Sequence, residues 1–383
     1  MDEWIKLSWE GMDWRVRKGY ERFIPDKIWG KGKRPEQFPE CQILKDNILR
    51  TSILVPLSKD GNQTIFLKRH RRRHWKDDLK SLFIPSRAFS EWKTLLHFKR
   101  LDLPAPRPIA YGERRKQGIL KDSCLITETI YSAQPLNRYV SQQFDSPIKK
   151  KEALTKKIEL IDQLAQLIAG LHRKGAYYRD LHGGNILCRN NPSGELELFF
   201  VDTDKVRFVA KMNPGKRIRD LAQLYNSIYS GTRSAWVRFL KTYLDEAGRV
   251  SFHWKKVFRE IEKVARAFRE RHIKSRSKRC LKKTTSFAVK TKRKQKLYFR
   301  REFSEEIINQ VLDRVKCSKG IDRNERFEKF GGIKISRITF PQNELCSVLW
   351  VRHYHYNWME RLRSVMGFSP AKLAWFNSNG LMV

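Results

Sequence analysis

The stretch GAYYRDLHGGNILCRN, followed after a turn by ELFFVDTDKVRF, constrains this chain more than any other part of it. It sets Asp180, Asn185 and Asp202 in an order that one loop and one hairpin can bring together. Asn190, Asn191, Pro192, Ser193 and Gly194 supply a turn between two apolar strands. Asp202 ends the second strand behind four apolar residues, where a purely structural acid would be costly to bury. Phosphoryl transfer needs this set: a carboxylate to take the proton of an attacking hydroxyl, and oxygen ligands to hold Mg²⁺ on nucleotide phosphates. Asp and Asn also dominate ordinary turns, so each residue taken singly has a plain structural reading.

The preceding residues read as a small β-rich lobe with one helix. CQIL, SILVPL and TIFLK have strand composition, and Asp60, Gly61 and Asn62 accept the positive φ of a hairpin turn between the last two. SRAFSEWKTLLHFKRL reads as a helix, with Ser86 as N-cap and Ala88, Trp92, Leu95 and Leu96 as its apolar stripe. The prolines of LPAPRPIAYGE end it, and SCLITETI reads as a buried strand. From Lys150 to Arg173, Leu154, Ile158, Ile161, Leu164, Ile168 and Leu171 recur at helical spacing. A short linker thus joins the small lobe to a mostly helical one.

In this order the motifs resemble the protein-kinase-like fold: RDLHGGN at the catalytic loop and VDTD where the metal-binding aspartate lies. The resemblance implies that Lys68 in TIFLK is the phosphate-binding lysine and Glu91 its ion-pair partner. It also implies that Asp180 is the catalytic base, that Asn185 and Asp202 hold Mg²⁺, and that Glu128, Thr129 and Ile130 form the hinge that meets adenine. VDTDKVRF runs through KMNPGKR into the helix RIRDLAQLYNSIY with no activation segment and no APE, which disfavours peptide substrates. SRAFSEW, LPAPRPIAYGE, LITET, YYRDLHGGNIL, VDTDKVR and RIRDLAQL together resemble the lipopolysaccharide core kinase (Kdo/WaaP) family over about residues 40 to 230. That implies ATP-dependent phosphorylation of Kdo or heptose on a lipid-linked core oligosaccharide at the cytoplasmic face of the inner membrane. Two positions depart from the kinase pattern. Tyr178 replaces the loop histidine, a position that supports the loop, and KDNILRTSIL, which would cover the phosphates, contains no glycine.

Charge and cysteines narrow the setting. The net charge of +39 over 383 residues makes a polyanionic partner the default expectation, an anionic membrane surface or nucleic acid among them. No recognition motif supports nucleic acid. Six scattered cysteines without a CxxC pair read as reduced thiols. Neither a signal peptide nor a membrane-spanning run is expected, so membrane contact would be peripheral. Residues 266 to 301 hold 16 Lys and Arg against one acid, Glu270, and suit either a solvated linker or an anchor on an acidic leaflet. Residues 1–39, with Trp4, Trp9, Trp14 and Trp29, suit either a packed arm or a lipid-facing one.

The sequence also repeats. Residues 348–375 align without gaps on 65–92 at an offset of 283, with eight of 28 positions identical, Trp92 and Trp375 among them. RCLKKTTSFAV echoes QILKDNILRTSIL. Val351 stands at the place of Lys68 and Ala374 at that of Glu91, so this copy cannot work as a kinase. The expected fold is α+β: a bilobal kinase-like unit with a small antiparallel β lobe (40–130) and a larger helical lobe (131–265). An N-terminal arm (1–39) precedes it, and a basic linker with a degenerate partial second small lobe (266–383) follows. The reading from a different class is a non-catalytic kinase-like module that binds anionic lipid or a protein partner.

Overall fold

The chain divides into two units, Met1–Arg266 and Ala267–Val383. The computed structural model describes residues 3–28, 35–47, 50–57, 63–71, 81–144, 150–228, 232–248, 253–284, 286–292, 295–304, 306–310, 313, 329–330, 333–339, 348–354, 358–359 and 369–380. The turn at Asp60, Gly61 and Asn62, and Trp29, lie outside these residues.

Seven strands of the first unit form one antiparallel sheet: β1 (Trp4–Trp9), β2 (Met12–Arg17), β3 (Gln42–Asn47), β4 (Arg50–Pro56), β5 (Thr64–Arg71), β6 (Pro108–Lys116) and β7 (Ile119–Glu128). Their order is β1-β2-β6-β7-β5-β4-β3. Period-two alternation puts Met12, Trp14, Val16, Ile53, Val55, Ile65, Leu67 and Ile126 on one face, packed with Ile24 and Ile28. Trp14 lies in register with Gly112, where a Cβ would come within 2.6 Å of the indole, so only glycine fits there. Helix α1 (Arg87–Arg100) covers the opposite face through Ala88 and Leu95 against Leu125, and Ser86 Oγ caps it by accepting from the Phe89 amide at 2.9 Å. Of the two roles open to the N-terminal tryptophans, Trp4 and Trp14 take packing: Trp14 is buried, and Trp4 meets Trp92 of α1 edge-on at 5.1 Å.

The rest of this unit is the helical lobe. It comprises β8 (Gln134–Pro135), α2 (Leu136–Phe144), α3 (Lys150–Arg173), β9 (Ala176–Tyr178), β10 (Ile186–Asn190), β11 (Leu196–Phe200), β12 (Val206–Phe208), α4 (Pro214–Ser227), α5 (Arg233–Glu246) and α6 (Trp254–Ser277), the last running into the second unit. Leu164, Ile168 and Leu171 of α3 are buried as the periodicity predicts, but Leu154 is 56% exposed. Helical spacing marks a face and not whether a neighbour covers all of it: further along α3, Leu160, Ile161 and Leu164 share a cavity with Trp236 and Phe239 of α5, and Arg238 grips Asp162 at 2.9 Å. No helix among the described residues is long and apolar enough to cross a membrane.

The second unit contains β13 (Phe287–Lys292), β14 (Gln295–Arg300), β15 (Lys329–Phe330), β16 (Ile333–Thr339), β17 (Val348–Tyr354) and α7 (Pro370–Gly380). Subtracting 283 gives the bounds of β1, β2 and β4, the end of β3, β5 without its first residue, and the start of α1. The pairing Phe287↔Arg300 repeats Trp4↔Arg17, and Phe330↔Ile333 repeats Asn47↔Arg50. Strands β16 and β17 pair one residue out of step with β4 and β5. Ser369 caps α7 as Ser86 caps α1, and Phe287 meets Trp375 edge-on at 6.1 Å as Trp4 meets Trp92. This corrects one expectation. RCLKKTTSFAV corresponds not to QILKDNILRTSIL but to the approach to the N-terminal hairpin, because its Phe287, Ala288 and Val289 open the strand that pairs as β1 does.

Candidate active site

Lys68 is on β5, on the face turned to α1, and Glu91 is on the second turn of that helix. The Lys68 ammonium donates to both Glu91 oxygens, at 2.7 and 2.9 Å, and also to Asp202 Oδ1. The Lys68 and Glu91 side chains are each 5% exposed. Burial alone would lower the lysine pKa, but Glu91 and Asp202 outweigh it and raise it above the ordinary value. Burial pushes the Glu91 carboxyl up, with Lys68 opposing.

Asp202 has φ 59° and ψ 46°, a left-handed conformation that aspartate tolerates better than most residues. This turn brings the carboxylate from the end of β11 into the cleft, where its second oxygen accepts from Arg50 at 3.0 Å. Burial would raise its pKa, yet Lys68 and Arg50 hold it well below the usual carboxylate range. The loop from Tyr178 to Asn185 lies beside it. The Asn185 carbonyl accepts from the Val201 amide at 2.9 Å, and the Tyr178 hydroxyl donates to the Val201 carbonyl, so the residue before Asp202 is tied to both ends of that loop. Tyr178 therefore supports the loop from a fully buried position.

Helix α4 fixes the loop from below. Asp220 accepts from the Tyr178 amide, Gln223 accepts from the Leu181 amide at 3.3 Å and donates to the Arg179 carbonyl at 3.0 Å, and Ser227 accepts from the Gly183 amide at 2.8 Å. Positions 220, 223 and 227 share one helical face. Inside the loop, Asn185 Nδ2 donates to the Asp180 carbonyl at 3.0 Å, so the amide oxygen is the atom that could hold a metal ion. The Asp180 carboxylate is paired with Lys205.

Glu91, Asp180, Asn185 and Asp202 line one cleft of about 120 Å³, together with Arg50, His70, Arg87, His182, Asp204 and Lys205. Five sequence-predicted residues thus meet there, Lys68 through its bonds to two of them. Glu128 and Ile130 do not line it. They lie at the end of β7, where the Glu128 amide donates to the Arg107 carbonyl at 2.9 Å and its carboxylate accepts from Arg17 at 2.7 Å. Sequence reasoning missed Arg50, Lys205 and the α4 face. The RIRDLAQL segment was the available signal for Asp220 and Gln223. Among the described residues no three His, Cys, Asp or Glu side chains gather as a metal site. Two protein oxygens, from Asn185 and Asp202, suit Mg²⁺, which keeps waters and takes phosphate oxygens for the rest of its shell.

Residues 51–243, just over half of the chain, match the lipopolysaccharide kinase (Kdo/WaaP) family. The chain belongs to that family. The matched span takes in Lys68, Glu91, Asp180, Asn185 and Asp202 of this kinase, and membership makes it a phosphotransferase. Among solved structures, WaaP in complex with acyl carrier protein is 22% identical, with 66% of this chain and 98% of that chain covered and a TM-score of 0.44. The ROP18 kinase domain in complex with AMP-PNP and sucrose is 13% identical, with 59% and 81% covered and a TM-score of 0.38. No curated protein matches the chain significantly.

Proposed function

We propose that the cleft transfers the γ-phosphoryl group of ATP to a hydroxyl of Kdo or heptose in the lipopolysaccharide inner core. The acceptor is lipid-linked and is met at the cytoplasmic face of the inner membrane. The observation that carries this reading is the Lys68 ammonium held between Glu91 and Asp202 beside Asp180 and Asn185. Lys68, fixed by Glu91, binds the α and β phosphates. Asp180 orients the acceptor hydroxyl and takes its proton as the new P–O bond forms and ADP departs. Lys205, already on the Asp180 carboxylate, is placed to meet the charge on the transferring group. Asn185 and Asp202 would hold Mg²⁺, which when bound neutralises the phosphate oxygens. An adenine edge would meet the Glu128 carbonyl or the Ile130 amide, because the Glu128 amide is already used.

ADP release measured with Mg²⁺-ATP and Kdo- or heptose-bearing lipid acceptors tests the proposal. Turnover is expected with one of these acceptors, and Asp180→Ala should reduce it at least 10³-fold while ATP still binds. ATP binding without turnover on any core acceptor would instead favour the non-catalytic module.

A further inference from the structure

Protein kinases cover nucleotide phosphates with glycine-rich backbone, whose missing Cβ atoms permit close approach. Here the covering strands β3 and β4 contain no glycine, and residues 42–56 read QILKDNILRTSILVP. Charge at that wall must come from side chains. Arg50, the first residue of β4, pairs in register with His70 of β5, and Ser52 pairs with Lys68, so period two turns all four toward the cleft. Arg50 Nε donates to Ser52 Oγ at 3.2 Å, and its other arm lies on Asp202. Arg87, the first residue of α1, lines the same cleft, and His70 there keeps a buried Nε2 with no hydrogen-bond partner among the described residues.

Resting on the kinase reading above, we infer that Arg50 and Arg87, with His70 between them, form a side-chain clamp for the terminal phosphates of the nucleotide. This clamp takes the place of the glycine-rich loop. Guanidinium groups suit the task, since their fork grips two phosphate oxygens at once. The second unit supplies an internal comparison. Where the first has Arg50, Lys68, Arg87 and Glu91, the second has Ile333, Val351, Pro370 and Ala374, whereas the capping serine and the packing tryptophan recur as Ser369 and Trp375. The two arginines are lost together with the lysine–glutamate pair, as expected of groups that serve the same ligand. Of the clamp only His70 recurs, as His353.

Equilibrium binding of ATP and of adenosine to the full chain tests the clamp. Arg50→Ala and Arg87→Ala should each weaken ATP at least tenfold and leave adenosine unchanged, and Arg50→Lys should restore only part of the loss. ATP binding equal to wild type in both alanine variants overturns the clamp alone, as does an equal loss of ATP and adenosine, which marks a structural role. A wild-type chain that binds neither ligand overturns the kinase reading as well.

Discussion

His70 is the side chain whose titration the cleft distorts most legibly. Burial, then the charges of Lys68, Arg50 and Arg87, push its pKa down to about 3 from 6.5. The unfolded chain takes up the proton first, so this contribution to stability is complete above about pH 6.5 and is lost as pH falls toward 3. Buried His172 is shifted the same way. At pH 5 the loss from His70 comes to about 2 kcal/mol. Thermal melting between pH 7.5 and 5 should show the decline, and His70→Gln should lessen it, the remainder including the share of His172. At this scale the meeting of Asp180, Asn185 and Asp202 was legible, because a loop and a strand end fix their spacing, whereas Lys68 and Glu91 were legible only through the resemblance. Arg50 and Lys205 were not, since what they touch depends on cross-strand register and on a turn whose left-handed residue, Asp202, gave no sign of its direction.

Helix α4 is the element on which the active loop depends most. Its Gln223 spends both side-chain bonds on loop backbone, and Ser227 accepts from the loop while donating to its own helix at the Leu224 carbonyl, so Gln223→Ala should lower kcat about tenfold or more with little change in ATP affinity. A Gln223→Ala and Ser227→Ala pair should be non-additive, since both hold one loop. Steady-state kinetics beside equilibrium ATP binding would check this. The capped helix α1 could be read from Ser86 and its apolar stripe, which are local signals. The docking of β2 on β6 could not, because Trp14 is accommodated by a glycine, Gly112, far along the chain. Periodicity misplaced Leu154 for a related reason: a stripe marks a face and does not say whether a neighbour covers it.

Over the whole molecule, charge makes a separate prediction. The 16 basic residues between 266 and 301 should bind vesicles containing anionic lipid, at about 1 kcal/mol per residue near the surface. Since the Debye length is about 10 Å at 0.1 M salt, raising salt from 50 to 300 mM should weaken co-sedimentation at least tenfold. Neutral phosphatidylcholine vesicles should not bind at any salt. The repeat was legible only where identities survive, around Trp92 and Trp375. Elsewhere the strand lengths persist without the residues, and only coordinates reveal them. One consequence concerns how the chain reaches its native state. The two hairpins have equal length, and the first residue of each makes an aromatic contact with a serine-capped helix, so the chain carries two similar sets of pairing partners, the circumstance in which repeat proteins misassemble.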